Sequence, residues 1–94
     1  MHGRVDKNHQ EIVAVLQAVG ATVQDLSQVG AGCPDIVVGY RGKNYFFEIK
    51  SEKGKLKERQ KTWHSLWRGQ VHTIYNEYEA FEILGVSTNE YQGI

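Results

Sequence analysis

The stretch PDIVVGYRGKNYFFEIK, residues 34–50, places three ionisable side chains around two apolar runs: Asp35 at its start, Glu48 and Lys50 at its end. In an extended strand alternate side chains share a face, so Glu48 and Lys50 point one way and Ile49 the other. Arg41, Gly42, Lys43 and Asn44 supply turn chemistry between the runs, which predicts a hairpin. A two-residue loop pairs residues whose numbers sum to 83 or to 85. The first register sets Asp35 opposite Glu48, the second opposite Lys50, and both gather the three charges on one face at one end of the hairpin. A three-residue loop without a bulge would separate them.

Two carboxylates side by side repel, and their burial is costly unless an opposite charge is bound. A divalent cation held by Asp35 and Glu48 removes the repulsion. Carboxylate oxygens suit Mg²⁺ or Mn²⁺, and Mg²⁺ keeps several waters and takes a phosphate oxygen readily. Lys50 beside such an ion can orient or help deprotonate an attacking water. An isolated E-x-K triplet is more often a simple ion pair at a strand end, so the neighbouring residues decide between the readings. Glu11 precedes Ile12 by one residue and Val15 by four, at the border of an apolar helix face, where it is either a third carboxylate for the metal or an ordinary first-turn glutamate. Leu56, Gln60, Trp63 and Trp67 are spaced four, three and four apart, which puts an amide in the middle of an apolar stripe. A buried amide needs partners, and a carboxylate of the site or a phosphate would serve; a half-exposed edge position is the alternative.

The elements that must position these residues follow from periodicity. Ile12, Val15, Leu16 and Val19 form the stripe of an amphipathic helix over residues 7–19, stopped by Gly20. A short strand over 21–26, a glycine-bearing loop, the hairpin, a basic helix over 53–69, a strand over 71–75 and a closing helix over 77–85 complete the order α-β-β-β-α-β-α. That order predicts an α/β sandwich around a mixed four-stranded sheet, with helices against it. Ninety-four residues, 40% hydrophobic and 23% charged, fit a single domain spanning 1–94. One cysteine excludes an intrachain disulfide, and the four histidines lack zinc-ligand spacing. Met1 to Gln10 is polar and no apolar run is long enough for a membrane span, so a soluble, cytoplasmic protein is expected.

Net charge is zero, but its distribution is uneven: seven basic residues between Lys50 and Arg68 face only Glu52 and Glu58, and the rest of the chain is correspondingly acidic. Such a stripe is either a solvated helix face or a phosphate-contacting one. Cys33 reads as a small space-filler, His64 as a surface histidine, and Trp63 and Trp67 as core or subunit-interface residues before base-stacking platforms.

The pattern P-D, twelve residues, E-I-K resembles the motif of the PD-(D/E)XK nuclease superfamily, whose restriction-endonuclease-like core is similar to the inferred element order. Within it the chain most resembles the small stand-alone VRR-NUC nucleases of bacteria and phages. The cues are Glu11 on a helix, the approach GAGCPDIVVG, the run FFEIKSEKGKLKERQKTWH with its glutamine, and the strand GQVHTIY, a likeness from about Lys7 to Gly85. The resemblance implies that Asp35, Glu48 and the backbone carbonyl of Ile49 bind the metal, with Glu11 as an outer or direct ligand. It also implies Lys50 as the catalytic lysine and Gln60 as its support. Tyr75 and Asn76 stand where the family often carries basic residues, which puts substrate contacts there in doubt.

The resulting expectation is a Mg²⁺- or Mn²⁺-dependent, structure-selective DNA endonuclease. Lys53, Lys55, Lys57, Arg59 and Lys61 would hold the DNA backbone with little sequence preference. Stand-alone relatives resemble junction-resolving enzymes, which makes four-way (Holliday-type) junctions the expected substrate and a homodimer the expected assembly. Cleavage of flaps or splayed arms, binding of branched DNA without cutting, and a role as a small interaction module are the alternatives.

Overall fold

A computed structural model describes residues 2–87 and 89, with side chains from Asn8 onward; the other positions of the expected 1–94 domain lie outside the described residues. The elements are α1 (His2–Ala18), β1 (Thr22–Asp25), β2 (Ile36–Tyr40), β3 (Lys43–Ile49), α2 (Glu58–Leu66), β4 (Val71–Ile74) and α3 (Glu77–Leu84). The strands form one sheet in the order β1-β2-β3-β4. Pairing is antiparallel through β3 and parallel between β3 and β4, because α2 carries the chain back to the opposite end of the sheet. This is the expected mixed four-stranded α/β architecture, consistent with a restriction-endonuclease-like fold.

Alternation divides the sheet into two faces. Ile36, Val38, Tyr45, Phe47, Ile49 and Ile74 turn to one side and join Ile12 and Leu16 of α1 and Ala80, Phe81 and Leu84 of α3 in a single core. Asn76 caps α3 by accepting from the Glu79 N–H at 2.9 Å, and Gly85, at φ 81°, ends it in the left-handed conformation. The other face presents Val37, Phe46 and Glu48, and α2 lies against it.

That second helix is shorter than its sequence pattern suggests. The basic run reads as helical from residue 53, but the chain makes a turn in which the Gly54 N–H donates to the Ser51 carbonyl at 2.8 Å. Lys53 and Lys55 therefore lie in the approach to α2 and not on it. The helix stops at Trp67, whose backbone is extended, two residues before Gly69. None of its side chains is fully buried. Among the described residues no helix is long and apolar enough to cross a membrane.

Candidate active site

Arg41 and Gly42, the loop between β2 and β3, both have positive φ, 50° and 82°. This is the backbone signature of a type I′ turn, whose twist matches that of paired strands. The turn sets the register Ile36–Phe47, Val38–Tyr45 and Tyr40–Lys43, the sum of 83, so that one step beyond β2 Asp35 comes beside Glu48. Asp35 continues the hairpin with its side chain: Oδ2 accepts from the Ile49 N–H at 2.7 Å. Its backbone is held on the other side, where the carbonyl accepts from the Leu26 N–H at 2.8 Å.

Glu48 is only 2% exposed. Its Oε2 accepts from the Gln60 amide at 3.0 Å and lies 3.5 Å from Lys50 Nζ. Its Oε1 is buried and has no partner. A buried, unsatisfied carboxylate oxygen is costly, and the cost appears in the acidity. Burial first, and then the charge of Asp35, push the Glu48 carboxyl up to about 7, against the opposing pull of Lys50. The side chains present thus fit a divalent cation: Glu48 keeps one oxygen without a donor and stands next to a second carboxylate, Asp35. Among the described residues no three His, Cys, Asp or Glu side chains converge on one point. Two carboxylates completed by a carbonyl, waters and substrate oxygens is a donor set typical of Mg²⁺ or Mn²⁺.

Gln60 connects α2 to this centre at both ends of its amide. Its Oε1 accepts from the Lys57 N–H at 2.8 Å, half of a capping box, while its Nε2 donates to Glu48. The spacing pattern that placed an amide in an apolar stripe therefore corresponds to a residue that starts the helix and orients the acid. Gln60→Ala should lower kcat about tenfold with little change in KM, and cost about 1 kcal/mol of stability through the lost cap. Cleavage kinetics and thermal melts of the same preparation check both parts.

The loop before Asp35 abuts the same helix. Gly32 has φ 86°, and a Cβ built there would overlap the Arg59 carbonyl oxygen, so only glycine allows this approach to the first turn of α2. Cys33 follows, half-buried. Burial, and then the charges of Glu48 and Asp35, raise its thiol above the usual range, which suits a space-filler and not a nucleophile.

Asp35, Glu48, Ile49, Lys50, Lys57 and Gln60 line one cavity of about 460 Å³, together with Ser51 and, from α1, Asn8 and His9. Glu11 is exposed and lies outside that lining. The buried stripe of α1 centres on Ile12 and Leu16, and continuing it toward the N-terminus by three and four residues leads to His9 and Asn8, not to Glu11. That extension of the stripe is the signal by which the two cavity residues could have been found. Among the basic residues, Lys57 reaches the cavity, while Lys53, Lys55, Arg59 and Lys61 are exposed around it. Lys61 pairs with Glu58 at 3.3 Å. Tyr75 holds the basic approach in place, its hydroxyl donating to the Gly54 carbonyl at 3.2 Å. His64, expected at the surface, is half-buried, and burial, then the charge of Lys50, push its imidazole down toward the neutral form.

No family model matches the chain, and no curated protein matches it. Among solved structures it is similar to one described as a VRR_NUC domain, with 27% identity and a TM-score of 0.67, over 89% of this chain and 94% of that one.

Proposed function

The chain carries a VRR-NUC domain, a nuclease domain of the PD-(D/E)XK type, and from that premise we propose that it hydrolyses DNA phosphodiesters with the help of Mg²⁺ or Mn²⁺. The observation that carries the metal requirement is the buried, unpartnered Oε1 of Glu48 beside Asp35. Asp35, Glu48 and the carbonyl of Ile49 would hold the cation, and Glu11, being exposed, joins only as an outer ligand. When bound, the cation supplies a Lewis acid for the phosphoryl oxygens and lowers the pKa of a coordinated water.

The chain's own residues do the rest. Lys50 Nζ, next to Glu48, places positive charge where the phosphoryl oxygens gain negative charge, and orients the attacking water by hydrogen bonding. Gln60 fixes the Glu48 carboxylate through Oε2 and leaves Oε1 free, the oxygen that would serve as ligand. Lys53, Lys55, Lys57, Arg59 and Lys61 neutralise backbone phosphates on either side, giving an affinity that falls with salt and reads little sequence.

The preferred DNA is branched. A domain of this size has no element free to read a groove, whereas a four-way junction offers shape, and its two symmetric scissile strands call for a C₂ homodimer with paired sites. The test is cleavage of an end-labelled four-way junction beside a linear duplex of the same sequence, with Mg²⁺, Mn²⁺ or chelator. Metal-dependent, paired nicks near the branch point are expected. Cutting confined to flaps or splayed arms would replace the junction with those substrates. Salt-sensitive binding with no cutting under any metal would leave a branched-DNA binding domain. A monomeric mass by light scattering at working concentration would remove the dimer.

A further inference from the structure

The exposed end of α2 carries large apolar side chains that the fold does not use. Leu66 is 72% exposed and Trp67 42%. Trp67 is nevertheless held in a defined orientation: it stacks on Trp63 with centroids 4.7 Å apart and planes 14° from parallel, and Phe46 meets it edge-on at 4.8 Å. The Gly69 backbone packs close to the indole edge, where a Cβ would stand only 2.8 Å from the indole nitrogen, which further fixes the ring. Of the two tryptophans, Trp63 is half-buried and Trp67 exposed.

We propose that Trp67 is a stacking platform for the base face that a terminal pair exposes at a DNA branch point, and so a determinant of substrate choice. The inference rests on the nuclease reading above. Charge selects the occupant: Trp67 lies in the segment 50–68, which carries five more basic than acidic residues, with Arg68 beside it, and this favours a polyanion over a protein partner. Of polyanions, nucleic acid also offers an aromatic face at every base. The indole is fixed by its neighbours before any ligand arrives, so little ordering is lost on contact.

Distance gives the platform its selectivity. Trp67 lies seven residues beyond Gln60, which bonds Glu48, so the two are separated by about 10 Å along the helix. At about 3.4 Å per base step this is roughly three nucleotides from the scissile phosphate. In an intact duplex the base at that distance is stacked on both faces, so neither is available. Where the arms of a junction unstack, the terminal pair at the branch point exposes one face.

The test compares the wild type, Trp67→Ala and Trp67→Phe on a four-way junction and a linear duplex of the same sequence, with 2-aminopurine placed three nucleotides from the cut site as a probe of stacking. The preference for junction over duplex should fall about tenfold in Trp67→Ala and recover largely in Trp67→Phe, with quenching of the probe lost and regained in parallel. Equal loss of cutting on both substrates, at an unchanged ratio, would assign Trp67 to packing and overturn the proposal. Conversion of a dimer to a monomer by Trp67→Ala would overturn it in favour of a subunit interface. A wild type that cuts junctions while Trp67→Ala keeps the full preference sinks the platform alone, whereas a wild type that cuts neither DNA sinks the nuclease reading with it.

Discussion

Glu48→Gln is expected to raise the melting temperature of the metal-free protein at pH 8 while abolishing cleavage. The Glu48 carboxyl ionises near 7 in the folded chain, against an ordinary value of 4.5, so between those two values the folded state binds more protons than the unfolded one. The contribution of Glu48 to the stability of the metal-free wild type is therefore greatest below pH 4.5, falls as pH rises toward 7, and levels off above it. At 1.36 kcal/mol per pKa unit the loss approaches roughly 3 kcal/mol. For a chain of this length that corresponds to a melting-temperature change on the order of 10 °C. A glutamine keeps the shape and the bond to Gln60 without the charge, so the variant should escape the loss at pH 8 and show no advantage at pH 4.5. Mn²⁺ should raise the wild-type melting temperature at pH 8 and leave the variant unmoved. Melts at both pH values, with and without Mn²⁺, decide the matter. A variant no more stable than the wild type in metal-free buffer at pH 8 would show that the Glu48 charge is already satisfied, and would remove the reason to place a cation there.

Lys50→Gln should cost about 10²- to 10³-fold in kcat, the usual consequence of deleting a group that meets developing negative charge. It should also change the pH dependence. In the native arrangement Lys50, 3.5 Å from Glu48 Oε2, favours the ionised carboxylate through its charge and hydrogen bond. Without it the Glu48 carboxyl holds its proton to a higher pH, and proton and cation compete over a wider range. The acid limb of the rate profile should therefore move upward, so the variant's deficit is larger at pH 6 than at pH 8.5. Single-turnover rates across that range, at fixed Mn²⁺, measure it. A uniform deficit with an unmoved acid limb would mean that Lys50 acts on the substrate alone.

The hairpin was the most legible part of this molecule because two independent constraints meet in it. Side-chain alternation set the shared face of Glu48 and Lys50, and the Arg41–Gly42 turn chose between the registers that alternation left open. Gln60 was legible for a related reason: an amide on an apolar stripe must find a partner, and the partner proved to be Glu48. The exposure of Glu11 is not contained in its spacing, because a position at the border of a stripe leaves the side chain's direction to the docking angle of the helix. Asn8 and His9 continue the same stripe but are polar, so a search for apolar periodicity passes over them. The expected start of α2 is too early because Lys53 and Lys55 are acceptable helix formers, whereas the chain there makes a turn closed by the Gly54–Ser51 bond and joined by Tyr75 from the end of β4. Exposure of Trp67 is likewise a tertiary fact: a stripe of large apolar residues gives no sign of where the sheet beneath it ends.

The tight connection between Tyr40 and Lys43 has a bearing on how the chain reaches its native state. Asp35 and Glu48 come together through the closure of a local hairpin, an event of low sequence separation, whereas β4 joins β3 in parallel only after the chain has crossed over through α2. Low sequence separation favours a meeting of the acids before the helix that supplies Gln60 docks. Their mutual repulsion is met early, at the step where the strands zip, and a proton or a cation present at that moment eases the passage. The candidate site thus lies in the segment whose local closure costs the least chain entropy, so the same few residues bear on both the site and the early steps of folding.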